Sequence, residues 1–127
     1  RNDMARQEFA AALELAPEDA LALQQLVVLE LSLGNYGSAL ELATRMSHMP
    51  AVSQQGLEHQ YRALLGLQRL DEALAVAQLL DEAAPRSGLG PFLAGVVLQS
   101  RGELETAEAS YLRALDRQPG AVEPLAT

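Results

Sequence analysis

His48 and His59 are the only histidines of the chain, and there is no cysteine. Histidine is the side chain whose ordinary pKa suits proton transfer near neutral pH. A helix-borne HExxH pair would bind zinc and supply a glutamate as general base. Neither histidine has that spacing, and the roughly four converging N, S or O ligands of a zinc site are nowhere gathered. Glu58, His59 and Arg62 make one compact charged group, with Glu58 and Arg62 at the i, i+4 spacing that supports an ion pair on a helix. An exposed pair of that kind contributes little, so the group reads as a solvated helix face rather than as machinery. Glu103, Glu105 and Glu108 suit the positive N-terminal end of a helix. Gly88-Leu89-Gly90 is not a phosphate-cradling loop. The expectation is a chain that is not an enzyme and needs neither cofactor nor metal.

Composition narrows the partners. The chain has 127 residues, 49% of them hydrophobic, enough for one compact domain or a few stacked repeats. All nine basic residues are arginine, and they face 17 acidic residues for a net charge of -8. That balance repels phosphate backbones and anionic headgroups, which argues against nucleic acid as a partner. No apolar run approaches the roughly 18 residues of a membrane helix, and Arg1-Asn2-Asp3 does not open a signal peptide. A soluble chain without direct membrane insertion is expected. The absence of cysteine leaves the redox compartment open.

The elements that would position these residues follow a repeat. Alanine stands at Ala5, Ala39, Ala73 and Ala107, evenly spaced at a period of about 34 residues, which is the length of a two-helix repeat unit. Phe9, Ala43, Ala77 and Tyr111 stand one helical turn after these alanines, and Ala12, Met46, Leu80 and Ala114 one turn further on. The period predicts a helix over about 3–16, then helix pairs over 20–33 and 37–48, 54–67 and 71–83, 89–101 and 105–117. Asp19, Ser53 and Ser87 share the register and stand where each first helix begins. Each would offer a side-chain oxygen to unpaired first-turn amides, worth about 0.5 to 2 kcal/mol. Gly34 and Gly102 occupy turns that need positive φ. Pro17, Pro85 and Pro119 close the second helices, since proline lacks the amide donor a helix needs.

A repeat of this length with two helices per unit resembles the tetratricopeptide repeat (TPR) family, over nearly the whole chain. The last full unit carries the pattern best, as Gly95, Leu98, Gly102, Leu104, Ala107, Tyr111, Ala114 and Pro119. Its small residues let two helices approach closely while larger ones fill the space around the contact. The resemblance implies an all-α fold, a right-handed α-solenoid of antiparallel TPR helix pairs. Its units would be 1–19 (the second helix of a truncated unit), 20–53, 54–87, 88–121 and 122–127 (the start of a further unit). The 54–87 unit departs most, with Tyr61 at the small position, Gln60 before it and Gln68 in place of the turn glycine. Val27, Met46 and the early Pro50 depart in the unit before.

The family's usual binding surface is the concave face of the first helices. Carried over by position, the resemblance implies a groove of Leu21, Gln24, Gln25 and Val28, then Gln55, Glu58, His59 and Arg62, then Leu89, Phe92, Val96 and Gln99. Leu31, Leu65 and Val96 fit packing between units better than ligand contact. TPR domains that clamp a terminal carboxylate use lysines and asparagines, and this chain has no lysine. The asparagine ladder of glycosyltransferase-linked arrays is absent too, its places being held by Gln25, His59 and Leu93.

The expected function is a non-catalytic scaffold within a larger TPR protein, binding a protein or peptide segment through apolar anchors. Arginine-only basic usage and alanine richness suggest a bacterium, with the cytoplasm or periplasm as compartment. The alternatives are self-association, or recruitment for an enzyme whose active site lies elsewhere. The chain opens before a second helix and closes where a first helix should start, as a window cut from a longer array would. Helix 3–16 would then leave Phe9 and Leu13 uncovered and drive self-association through exposed ends.

Overall fold

The computed structural model describes residues 2–117. Among them are seven helices: α1 (Asn2–Leu15), α2 (Ala20–Ser32), α3 (Tyr36–Ser47), α4 (Ser53–Gly66), α5 (Leu70–Ala83), α6 (Leu89–Ser100) and α7 (Leu104–Arg117). The described residues contain no strand. Every helix begins and ends within a residue or so of the boundary that the repeat predicts. Pro119 and the 122–127 segment lie outside the described residues.

The turn chemistry explains most boundaries. Asp19 caps α2, its Oδ1 accepting the Ala22 amide at 3.1 Å, and Ser87 Oγ accepts the Leu89 amide at 3.0 Å. Ser53 does not play the capping part expected of it. It is the first residue of α4, and the preceding residue, Val52, gives no side-chain cap. The reason lies just upstream, where Pro50–Val52 form one turn of 3-10 helix that runs directly into α4. Gly34 and Gly102 take φ of 79° and 83°. Gln68, at the equivalent turn, takes φ of 61°, so the register imposes the left-handed turn on a residue that resists it.

The chain divides into two compact units, Arg1–Arg69 and Leu70–Thr127. In the first, α1 packs on α2, α2 on α3 and α3 on α4. Leu13, Leu23, Leu26, Val27, Leu42 and Met46 form its core, with Phe9, Ala12 and Leu31 packed around them. This corrects the expectation for α1: Leu13 is only 7% exposed and Phe9 is half-buried. Both join the apolar stripe of α2, so the large exposed apolar residues of α1 are Met4 and Leu15 instead.

A buried carboxylate ties three helices of this unit together. Glu30, 2% exposed, is ion-paired with Arg6 of α1, whose Nε lies 2.8 Å from Oε1 and whose Nη2 donates a hydrogen bond to Oε2 at 3.2 Å. Asn35, at the start of α3, donates to it at 3.1 Å, and Ser38 adds another hydrogen bond. Burial alone would push this carboxyl up, but the bonds from Ser38, Asn35 and Arg6, with the arginine's charge, hold it below the usual glutamate value.

In the second unit α6 packs against both α5 and α7. Ala73, Val76, Ala77 and Leu80 of α5, Val97 and Leu98 of α6, and Ala107 and Ala114 of α7 are buried. A Cβ on Gly95 would come within 2.6 Å of the Tyr111 ring, so the small residue of α6 admits the aromatic of α7. Asp81 of α5 binds Arg113 at 3.2 Å and also pairs with Arg117, both on α7. Arg101 joins Asp71 at 3.2 Å and Glu103 at 2.7 Å.

Candidate protein-interaction surface

The implied groove residues fall into two groups, one in each unit. On α2, Leu21, Gln25 and Val28 are exposed, while Gln24 is half-buried. On α4, Gln55 and Arg62 are exposed, Glu58 is half-buried and His59 is buried at 8% exposure. Gln24 and His59 meet, His59 Nε2 lying 3.0 Å from Gln24 Oε1. This pair therefore holds α4 to α2, and His59 does not stand on a solvated face as the sequence suggests. Burial first, and the Arg62 charge second, hold its imidazole below the ordinary histidine value.

In the second unit, Leu89 and Phe92 of α6 line an open apolar hollow of about 610 Å³ with Ser87, Gly88, Tyr111, Ala114 and Leu115. That size falls within the range of about 300–1,000 Å³ common for ligand sites. Phe92 is 49% exposed, and its ring sits 5.8 Å from that of Tyr111, tilted by 50°. The Tyr111 hydroxyl donates to Gln99 Oε1 at 2.7 Å, which fixes the ring that forms the wall. Gln99 is exposed and Val96 half-buried on the same helix.

The repeat makes the hollow interpretable. Its residues Phe92, Ala114 and Leu115 stand two repeat periods beyond Gln24, Met46 and Ser47. In the first unit those three positions lie under α4: Gly56 presses directly on Met46 and Ser47, and His59 bonds Gln24. Gln60 adds a bond to Thr44 at 3.2 Å, and the position equivalent to Thr44 is Leu112, which is exposed. The hollow thus corresponds to a surface that seats a helix elsewhere in the same chain. It differs by substituting phenylalanine and leucines for hydrogen-bonding side chains.

Sequence reasoning singled out Leu89 and Phe92 but treated Tyr111 and Ala114 only as pattern residues. It missed Leu115 and the Arg6–Glu30–Asn35 clasp. A glutamate between Leu29 and Leu31 in an apolar run was the available sign of a buried carboxylate. Among the described residues, no three or more histidine, aspartate or glutamate side chains are grouped to hold a metal ion. No described helix is long and apolar enough to cross a membrane.

No family model matches the chain, and no curated protein matches it. Solved structures do. "MamA 41-end from Desulfovibrio magneticus RS-1" matches with a TM-score of 0.82 at 15% identity, over 94% of this chain and 67% of that one. "MamA MSR-1 C2" matches with a TM-score of 0.80 at 18% identity, over 94% and 69%. At these identities the likeness shows the fold. TTC0263, described as a thermophilic TPR protein in Thermus thermophilus, is 30% identical, with a TM-score of 0.73 over 94% of this chain and 67% of its own. With its constant register, its helix pairs and this identity, the chain belongs to the tetratricopeptide repeat family.

Proposed function

We propose that the chain is a non-catalytic protein-interaction scaffold that seats a helical segment of a partner protein against the α6–α7 hollow. The observation that carries this reading is the apolar lining among the described residues, a half-exposed Phe92 with Leu89, Tyr111, Ala114 and Leu115, at positions that elsewhere lie under α4; the positions two periods beyond α4, from 121 on, lie outside the described residues. A fitting segment is an amphipathic helix with a small residue where Gly56 stands in α4 and apolar residues where His59 and Gln60 stand, because Phe92 and Leu112 offer no hydrogen bond there. The exposed Leu21, Gln25, Val28, Gln55 and Arg62 form a second, more polar contact surface on the first unit. Arginine-only basic usage and alanine richness favour a bacterial cytoplasm or periplasm as the setting.

The test uses a labelled peptide of the α4 sequence carrying His59→Leu and Gln60→Leu, titrated against the full chain by fluorescence anisotropy. Binding should weaken by more than about 1 kcal/mol in Phe92→Ala and change little with added salt. Affinity that collapses between low and physiological ionic strength, while Phe92→Ala binds normally, counts against the hollow as the anchor.

A second reading is assembly. Met4 and Leu15 are large exposed apolar residues on α1, and a helix from another copy would meet the chemistry of the hollow. Contact between unlike surfaces of this kind propagates as an open chain. Sedimentation at increasing concentration separates the readings: growth beyond a monomer that Leu115→Asp suppresses supports assembly, and a strict monomer rejects it.

A further inference from the structure

His59 is a buried base in a contact between two helices, and nothing in the scaffold reading uses it. The residue is 8% exposed. Nε2 is engaged by Gln24, and Nδ1 is buried without a hydrogen-bond partner. A neutral imidazole tolerates this arrangement, because one nitrogen can donate to the Gln24 carbonyl while the other keeps its lone pair. An imidazolium carries a proton on both nitrogens, so Nδ1–H would be a charged donor with no acceptor, which is costly in a buried site.

The surrounding charges give no relief. Arg62 is the charge that acts on the ring, and it opposes a second positive charge. Glu58 is the adjacent residue on α4, and adjacent helical residues do not face each other. On α2 the contact is the uncharged Gln24, and that helix's one acidic residue, Glu30, is engaged by Arg6 and Asn35. On α3, Glu41 is exposed, and Arg45 donates to the Pro17 carbonyl at 2.6 Å. The Pro50–Val52 turn carries no charge.

We propose that the α2–α4 contact is an acid-sensitive latch, closed by a neutral His59 on Gln24 and opened when the ring takes up a proton. Opening frees Gln24 and loosens α4 from the surface it covers. The sign follows from linkage. The open form binds the proton at the ordinary histidine pKa of about 6.5, whereas the closed form resists it. The closed form is therefore fully favoured above that pH and loses ground as pH falls below it. At pH 5.5, one unit below the open-form value, the effect is capped at roughly elevenfold.

Urea unfolding of the full chain at pH 7.5 and 5.5, with and without His59→Gln, tests the latch. Glutamine does not titrate, and Gln25 holds the equivalent position on α2. The unfolding constant of the parent should rise over this range by at least about threefold more than that of His59→Gln; equal pH dependence in the two would overturn the proposal. If His59→Gln does not fold, amide hydrogen exchange in the parent decides. Exchange in α2 and α4 should accelerate as the His59 ring titrates by NMR. A ring that becomes charged with no change in exchange would show that the proton enters a closed contact, and the latch would be wrong. Neither measurement involves a partner or Phe92, so the outcome is independent of the scaffold reading.

Discussion

The two units solve one packing problem with opposite chemistry. In the first, the surface built from Gln24, Thr44, Met46 and Ser47 lies under α4 and is joined to it by side-chain hydrogen bonds from His59 and Gln60. In the second, the equivalent positions are Phe92, Leu112, Ala114 and Leu115; Phe92, Ala114 and Leu115 line an apolar hollow among the described residues, and Leu112 is exposed. Hydrogen bonds contribute modestly in net terms but penalise any occupant that leaves one unmade. The first surface is thus selective for one helix, its own. An apolar surface is stabilised by area alone and tolerates a range of apolar occupants. Repetition of backbone geometry does not entail repetition of function, because side chains at matching positions decide what can be seated.

The largest effect that would sharpen this contrast concerns the first unit's buried clasp. Arg6→Ala should destabilise that unit by about 3 kcal/mol, since it strands the Glu30 carboxylate with only Asn35 and Ser38 as partners. Chemical denaturation at neutral pH measures this. The Glu30 carboxyl is held below its ordinary value in the folded state, so its contribution is present above the unfolded glutamate pKa and fades as pH drops through the folded one. The Arg6→Ala deficit should therefore shrink in acid, and a deficit that grows there would contradict the clasp.

Next come the crossings that the two units share. Gly56 of α4 and Gly90 of α6 stand one repeat period apart, and an added Cβ would strike the backbone of Met46 and Ser47 in one case and of Asp81 in the other. Gly56→Ala and Gly90→Ala should each cost about 2 kcal/mol, because the struck atoms are main chain and cannot rotate away. Equal urea midpoints for parent and either variant would break the shared geometry.

A matched pair at position-equivalent residues bears directly on the comparison. Gln24→Ala removes the bond that His59 makes to α2 and should cost about 1–2 kcal/mol of stability. Phe92→Ala should cost about 1 kcal/mol or less, because the residue is already 49% exposed. Thermal shifts ranked the other way would mean that the first surface, not the second, is the adaptable one.

The smallest expected effect concerns a departure from the repeat. Gln68 holds φ of 61° where Gly34 and Gly102 stand in the equivalent turns. Gln68→Gly should stabilise by about 0.5 kcal/mol, the relief of left-handed strain being partly offset by glycine's greater freedom when unfolded. A loss of stability would show that the Gln68 side chain contributes more than its backbone costs.

The helices were legible because their signals are local and repeated: a capping oxygen at Asp19, a turn glycine at Gly34, a stop at Pro17, an alanine at the same place in every repeat. The Ser53 cap failed because Pro50 starts a 3-10 turn one register position early, which shifts the serine inside the helix. The site was legible only in part. Phe92 enters through the family resemblance, which carries it over by position as a first-helix surface residue. Its neighbours Tyr111, Ala114 and Leu115 belong to another helix, so their convergence depends on how α6 and α7 pack.

The sequence by itself determined the number of described helices, their boundaries to within a residue or so and the family, since each depends on residue type and spacing along the chain. Only the tertiary structure decided which faces are covered. Covering depends on side chains from different helices meeting in space: Phe9 and Leu13 finding the α2 stripe, Glu30 finding Arg6, and His59 turning inward to Gln24 while Phe92 stays half in solvent.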